Sequence, residues 1–142
     1  MQLQAKVDRE TLALHLGVLQ AVLQAPRVVL STKTYEQNNT TFYELRIAPA
    51  GSLALPFAEA TLVAEATPFV IGAFSVDLAF LVGLVESLPA TSTTVTFEIE
   101  SFPDIAAAAP GMGLSGPAAS ITIRDLAGSR VNIVSQTHVK EA

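Results

Sequence analysis

The chain has 142 residues and no cysteine, enough to bury a core as one domain without disulfides, and thiolate chemistry and thiolate metal sites are excluded. Eight basic against 13 acidic residues give a net charge of −5 and a pI of about 4.9, which speaks against a generally basic nucleic-acid coat. Charged residues make up 15% and apolar residues 50%, against roughly 25% charged in an average soluble domain, so a monomer has little polar surface with which to cover itself and self-association is expected.

In chain order, Leu3, Ala5 and Val7 alternate with Gln2, Gln4 and Lys6, the period of a half-buried strand. Asp8 is placed as a helix N-cap and Glu10 in the first turn. Leu12, Leu16, Leu19 and Leu23 recur at helical spacing and Pro26 ends the run, which predicts a helix over 9–24. Its other face, Ala13, Gly17, Gln20 and Gln24, is small and almost uncharged. A strand is expected over 27–34, a turn at 36–39, and a strand in which Tyr43, Leu45 and Ile47 alternate with Phe42, Glu44 and Arg46. Pro49-Ala50-Gly51 breaks the chain, a further strand is expected over 59–65, and Thr67-Pro68 marks a seam.

Beyond the seam, 69–74 reads as a short strand, Ser75 or Asp77 as a cap, and 77–88 as a helix stopped by Pro89, apolar nearly all round. Val95, Phe97 and Ile99 alternate with Thr94, Thr96, Glu98 and Glu100 in the clearest strand of the chain. Ile121, Ile123, Val131 and Ile133 predict a hairpin around Ala127-Gly128. Residues 102–119 form an Ala, Pro and Gly-rich loop, and the polar tail from Gln136 is expected to fray.

Two passages match. Val7-Asp8 with Leu12, Leu16 and Leu19 corresponds to Val76-Asp77 with Leu81, Val85 and Leu88, all displaced by the same 69 positions (76 − 7). Internal repeats govern the fold reading: strand, helix and three strands, twice. The expected fold is α+β, mainly antiparallel, with two helices on one face of the sheet and a pseudo-twofold axis. It forms a single domain over 1–142, with repeats over about 1–67 and 68–136 and a tail over 137–142.

This order, with Val-Asp-x-x-x-Leu opening each helix, resembles one domain of a DNA sliding clamp of the bacterial polymerase III beta-subunit type. The passage that carries the resemblance runs from Phe74-Ser75-Val76-Asp77 through Leu81, Leu84 and Leu88-Pro89 to Thr94-Val95-Thr96-Phe97-Glu98. Ser120-Ile121-Thr122-Ile123-Arg124 through Gly128-Ser129-Arg130-Val131 is similar to the closing hairpin of such a domain. The resemblance implies a non-enzymatic homo-oligomeric scaffold in replication or repair, with double-stranded DNA and replication or repair proteins as partners. A clamp ring holds six such domains and this chain supplies one. DNA-facing helices need cations for phosphates, and here the first helix offers Arg9 and His15 while the second offers only Glu86. The alternative is an assembly protein that self-associates through its apolar helices, at the small faces around Ala13, Gly17, Ala79 and Gly83, without DNA.

Other chemistry finds little support. Gly111-Met112-Gly113-Leu114-Ser115-Gly116 fits G-x-G-x-x-G, but Pro117 leads into a strand and no helix follows to receive a pyrophosphate, so no cofactor is expected. His15 and His138 are the only histidines and make no zinc motif, and no metal is expected. Asp8 lies two turns from His15, out of hydrogen-bond reach. Glu98 and Glu100 share a strand face with Thr94 and Thr96, an ordinary solvent-facing pattern, and no catalysis is expected. Asn38-Asn39-Thr40 matches a glycosylation sequon but reads as a hairpin turn. The first residues lack a leader pattern and the apolar run from Phe80 to Val85 is too short for a membrane span, so a cytoplasmic protein is expected.

Overall fold

The computed structural model describes residues 1–21, 24–50, 60–64 and 70–142, the side chains of 60–64 excepted. The first unit contains β1 (Gln2–Asp8), α1 (Arg9–Ala21), β2 (Arg27–Gln37), β3 (Thr40–Pro49) and β4 (Ala60–Ala64). The second contains β5 (Ala73–Asp77), α2 (Leu78–Ser87), β6 (Thr94–Phe102), β7 (Ala118–Arg124) and β8 (Arg130–Ser135), followed by β9 (Val139–Glu141). Strand, helix and three strands thus occur twice, and the fold is α+β.

The strands form two antiparallel sheets rather than one. A four-stranded sheet runs β1-β6-β7-β8 and a five-stranded sheet β4-β3-β2-β5-β9. Each unit gives its first strand to the other: β1 pairs with β6, Val7 opposite Val95, and β5 pairs with β2, Val76 opposite Val28. The same relation recurs where each helix starts, the Arg9 N–H donating to the Thr93 carbonyl (3.0 Å) and the Leu78 N–H to the Pro26 carbonyl (3.1 Å). The repeat offset falls from 69 in the strand-helix segment to 67 (95 − 28) in the following strand, because the stretch from helix start to next strand is two residues shorter in the second unit, Leu78 to Thr94 against Arg9 to Arg27. With first strands exchanged, neither unit completes a sheet alone.

Alternation builds the core. Leu3, Ala5 and Val7 of β1, Val28 and Leu30 of β2, Leu45 and Ile47 of β3, and Val95, Phe97 and Ile99 of β6 all point inward and are buried. Leu12, Leu16 and Leu19 of α1 and Leu78, Leu81, Leu84 and Val85 of α2 join them in a single cluster. The helices pack against each other, α1 also against β1 and β4 and α2 against β5.

Asp8 and Asp77 end their strands and cap the helices. The Thr11 N–H and hydroxyl both donate to Asp8 Oδ2 (2.8 Å each), and the Phe80 N–H donates to Asp77 Oδ1 (3.2 Å). Asp77, and not Ser75, is the second cap. The helix expected to reach Gln24 does not include it: Gln24 is left-handed at φ 52° and the Ala25 N–H donates to the Leu19 carbonyl (3.2 Å). Leu23 lies outside the described residues, as do Gly51, Glu59, Glu65, Thr67-Pro68 and Phe69. The 36–39 turn tightens to Asn38-Asn39, both at positive φ (53° and 62°), the two-residue hairpin geometry that Asn tolerates. Around Gly128 (φ 99°) the expected β7–β8 hairpin forms.

Two expectations are corrected. The strand placed at 69–74 begins only at Ala73. Val70 is bridged to Gln4, and the Thr32 hydroxyl donates to the Val70 carbonyl (2.8 Å) and accepts the Gly72 N–H (2.9 Å), so the chain is held between β1 and β2 before the ladder begins at Ala73. The tail does not fray: Val139 is buried, β9 pairs with β5, and the Ser135 hydroxyl accepts the Thr137 and His138 N–H groups (3.1 and 2.9 Å) to turn the chain into it.

Three carboxylates lie below the ordinary range, Glu141 through the Ser101 hydroxyl and two others at helix and hairpin turns. The Thr11 N–H and hydroxyl hold Asp8 below the ordinary carboxylate range, and the Ser92 hydroxyl, with help from the β7–β8 turn amides, does so for Asp125. A depressed folded-state value means the stabilisation is complete above the unfolded value and disappears as pH falls through the folded one. Thermal melts should therefore hold level from neutral pH to about pH 4 and fall below it, and Asp125→Asn should flatten that fall.

Candidate interaction surface

The exposed side of the helix pair is built from small and apolar residues. On α1, Ala13 and Gly17 are exposed, and beside them Leu14 and Val18 stand 67% and 42% exposed. On α2, Ala79 and Gly83 are exposed together with Glu86. The position of Leu14 and Val18 follows from helical spacing: Leu12, Leu16 and Leu19 turn inward, so an apolar pair at i and i+4 between them must turn out. That offset was the available signal for these two residues, and reading the leucine stripe alone missed it.

Among the described residues, a Cβ at Gly17 or Gly83 would meet nothing within 4 Å, although a helix-interior glycine costs about 1 kcal/mol relative to alanine. On α1 the knobs Leu14 and Val18 thus flank a recess at Gly17, and α2 carries a second recess at Gly83.

The cations are directed elsewhere. Arg9, at the start of α1, reaches across to the end of α2, donating to the carbonyls of Pro89, Val85 (3.3 Å) and Leu88 (3.1 Å). The Val85 and Pro89 carbonyls also accept the Leu88 and Ser92 N–H groups (3.3 and 2.9 Å), so Arg9 adds a charged donor to the last-turn carbonyls at the negative end of the helix dipole. His15 is half-buried on α1, and among the described residues its buried Nδ1 has no hydrogen-bond partner. The structure does not bring Arg9 and His15 together into a phosphate-binding group. Arg27 donates to the Ser75 hydroxyl (3.0 Å) and the Thr137 carbonyl (3.2 Å), Lys33 pairs with Glu44 (3.1 Å) and Arg124 with Glu98.

Residues weighed for chemistry are dispersed. Glu98 is engaged by Arg124, and Glu100 accepts from Gln2 Nε2 (3.4 Å) across the outer face of the four-stranded sheet. The glycine-rich segment follows a short 3₁₀ turn (Ile105–Ala107) and leads through Pro117 into β7, with Gly111, Gly113 and Gly116 at positive φ. His138 lies flat on Phe80 (ring centroids 4.8 Å apart), its Nδ1 3.6 Å from Asp77 Oδ2, a contact across more than sixty positions that no local pattern announces. Among the described residues no group of three or more His, Cys, Asp or Glu could hold a metal, and no helix is long and apolar enough to cross a membrane. No protein-family model, curated protein or solved structure matches the chain.

Proposed function

We propose that the protein is a non-enzymatic assembly domain whose copies associate through the exposed face of α1 and α2. The observation that carries this is the pair of mid-helix glycines, Gly17 beside Leu14 and Val18 on α1 and Gly83 on α2, with no described residue within 4 Å of a Cβ at either. A twofold interface needs one surface to hold both protrusion and recess, and this surface does. On a chain of net charge −5, it is also where two like-charged copies meet least repulsion, since Glu10 and Glu86 are the exposed charges of the two helices.

The test is absolute mass by light scattering. The wild type should run at a multiple of 14.9 kDa, and Leu14→Glu should return it to one. Gly17→Ala should raise unfolding stability by about 1 kcal/mol through helix propensity while weakening association. Association unchanged in both variants would remove the helical face from the assembly.

A second reading, a sliding-clamp-like scaffold on double-stranded DNA, is favoured by the repeated strand-helix-three-strand order with its two neighbouring helices. It requires a sixfold mass and retention on closed circular DNA, with loss on linearisation. A dimer without DNA retention favours the first reading.

A further inference from the structure

The end of the four-stranded sheet, the 102–117 loop and β9 enclose a groove of about 870 Å³, within the roughly 300–1,000 Å³ of typical ligand sites. Its walls include Phe102, Pro103 and Pro117 on one side and Val139, Lys140 and Glu141 on the other. The second wall is an open strand edge. Lys140 lies opposite Ser75, the Asp77 N–H donates to the His138 carbonyl (2.9 Å) and the Ala142 N–H to the Ala73 carbonyl (3.1 Å). Because an antiparallel strand alternates the direction of its backbone groups, the N–H and C=O of Val139 and Glu141 point away from β5. Among the described strands none pairs with β9 on that side.

We propose that this groove takes an extended acidic peptide segment, which adds a strand to the outer edge of β9. Backbone donors and acceptors spaced along a strand are best satisfied together by another extended chain. The chemistry of its side chains follows from the walls. Phe102 and the two prolines accept an apolar side chain. The Glu141 carboxylate is compensated by the Met1 ammonium (3.5 Å) and accepts the Ser101 hydroxyl, whereas Lys140 is exposed and has no ion-pair partner among the described residues, so the charge left over at the groove is positive and selects a carboxylate.

The probe is a short fluorescein-labelled peptide of alternating valine and aspartate, followed by polarisation on the full chain. Saturable binding is expected, weakened roughly tenfold by Lys140→Glu and abolished when alternate peptide nitrogens are methylated, which removes the donors of a ladder but keeps the side chains. No binding up to about 1 mM, the weak end of specific recognition, overturns the proposal, and so does equal binding of the methylated peptide. Light scattering of Lys140→Glu serves as the second measurement: if this exposed substitution dissociates an oligomer, the groove is a contact between copies and the peptide assignment fails.

Discussion

Gly72→Ala should lower the unfolding free energy by at least about 3 kcal/mol, the largest loss among the substitutions considered. A Cβ at this position would stand 2.0 Å from the Gln2 carbonyl oxygen and 2.9 Å from its carbon. The obstacle is backbone, which cannot rotate aside as a flexible side chain would. Nor can Gly72 itself withdraw: its N–H donates to the Thr32 hydroxyl, and the Thr32 N–H donates to the Gly72 carbonyl (3.0 Å). Relief would have to open the Gln4–Val70 bridge or pull β1 from its place, and β1 carries Leu3, Ala5 and Val7 into the core. Urea denaturation checks this, as a lower midpoint at unchanged slope. An alanine variant within about 0.5 kcal/mol of wild type would show that the β1–Gly72 approach is not tight in solution.

Arg9→Ala should cost about 2–3 kcal/mol, since hydrogen bonds from a charged donor contribute about 1.5–3 kcal/mol and the carbonyls left behind are partly shielded from water. The damage should concentrate at the end of α2, and hydrogen exchange should show it as lost protection of the amides in its last turn. Arg9→Lys should recover only part, since an ammonium cannot reproduce a planar fork of donors on three carbonyls. The same geometry bears on any DNA experiment. Loss of DNA association by Arg9→Glu counts as a lost phosphate contact only alongside an unchanged thermal transition, because the residue also joins the helices.

Much of the architecture was legible. The alternation in β1, β3 and β6, the leucine stripe of α1 and the two Asp caps are local patterns, and their repetition announces the element order. The small face of Ala13, Gly17, Ala79 and Gly83 was equally visible, because a helix converts spacing directly into a face. Leu14 and Val18, which supply its knobs, were recoverable from that same spacing. The displaced start of β5 was not: the apolar run across Val70 and Ile71 reads as strand, and it is Gln4 and Thr32, far earlier in the chain, that hold it outside the ladder. β9 was missed for a related reason. A polar three-residue segment carries no periodicity, and it becomes a strand because β5 offers it an edge and the core offers Val139 a site.

By itself the sequence determined what neighbouring residues decide among themselves: where helices and strands form, where they are capped and which side of each is apolar. Tertiary structure alone decided the exchange of β1 and β5 between the two units, the requirement for glycine at 72, the capture of the α2 carbonyls by Arg9 and the docking of β9. Each of these joins residues from about forty to one hundred positions apart in the chain. Their closure is stabilised by packing and backbone pairing that exist only once both partners are folded, so no local pattern of hydrophobicity or charge can encode them.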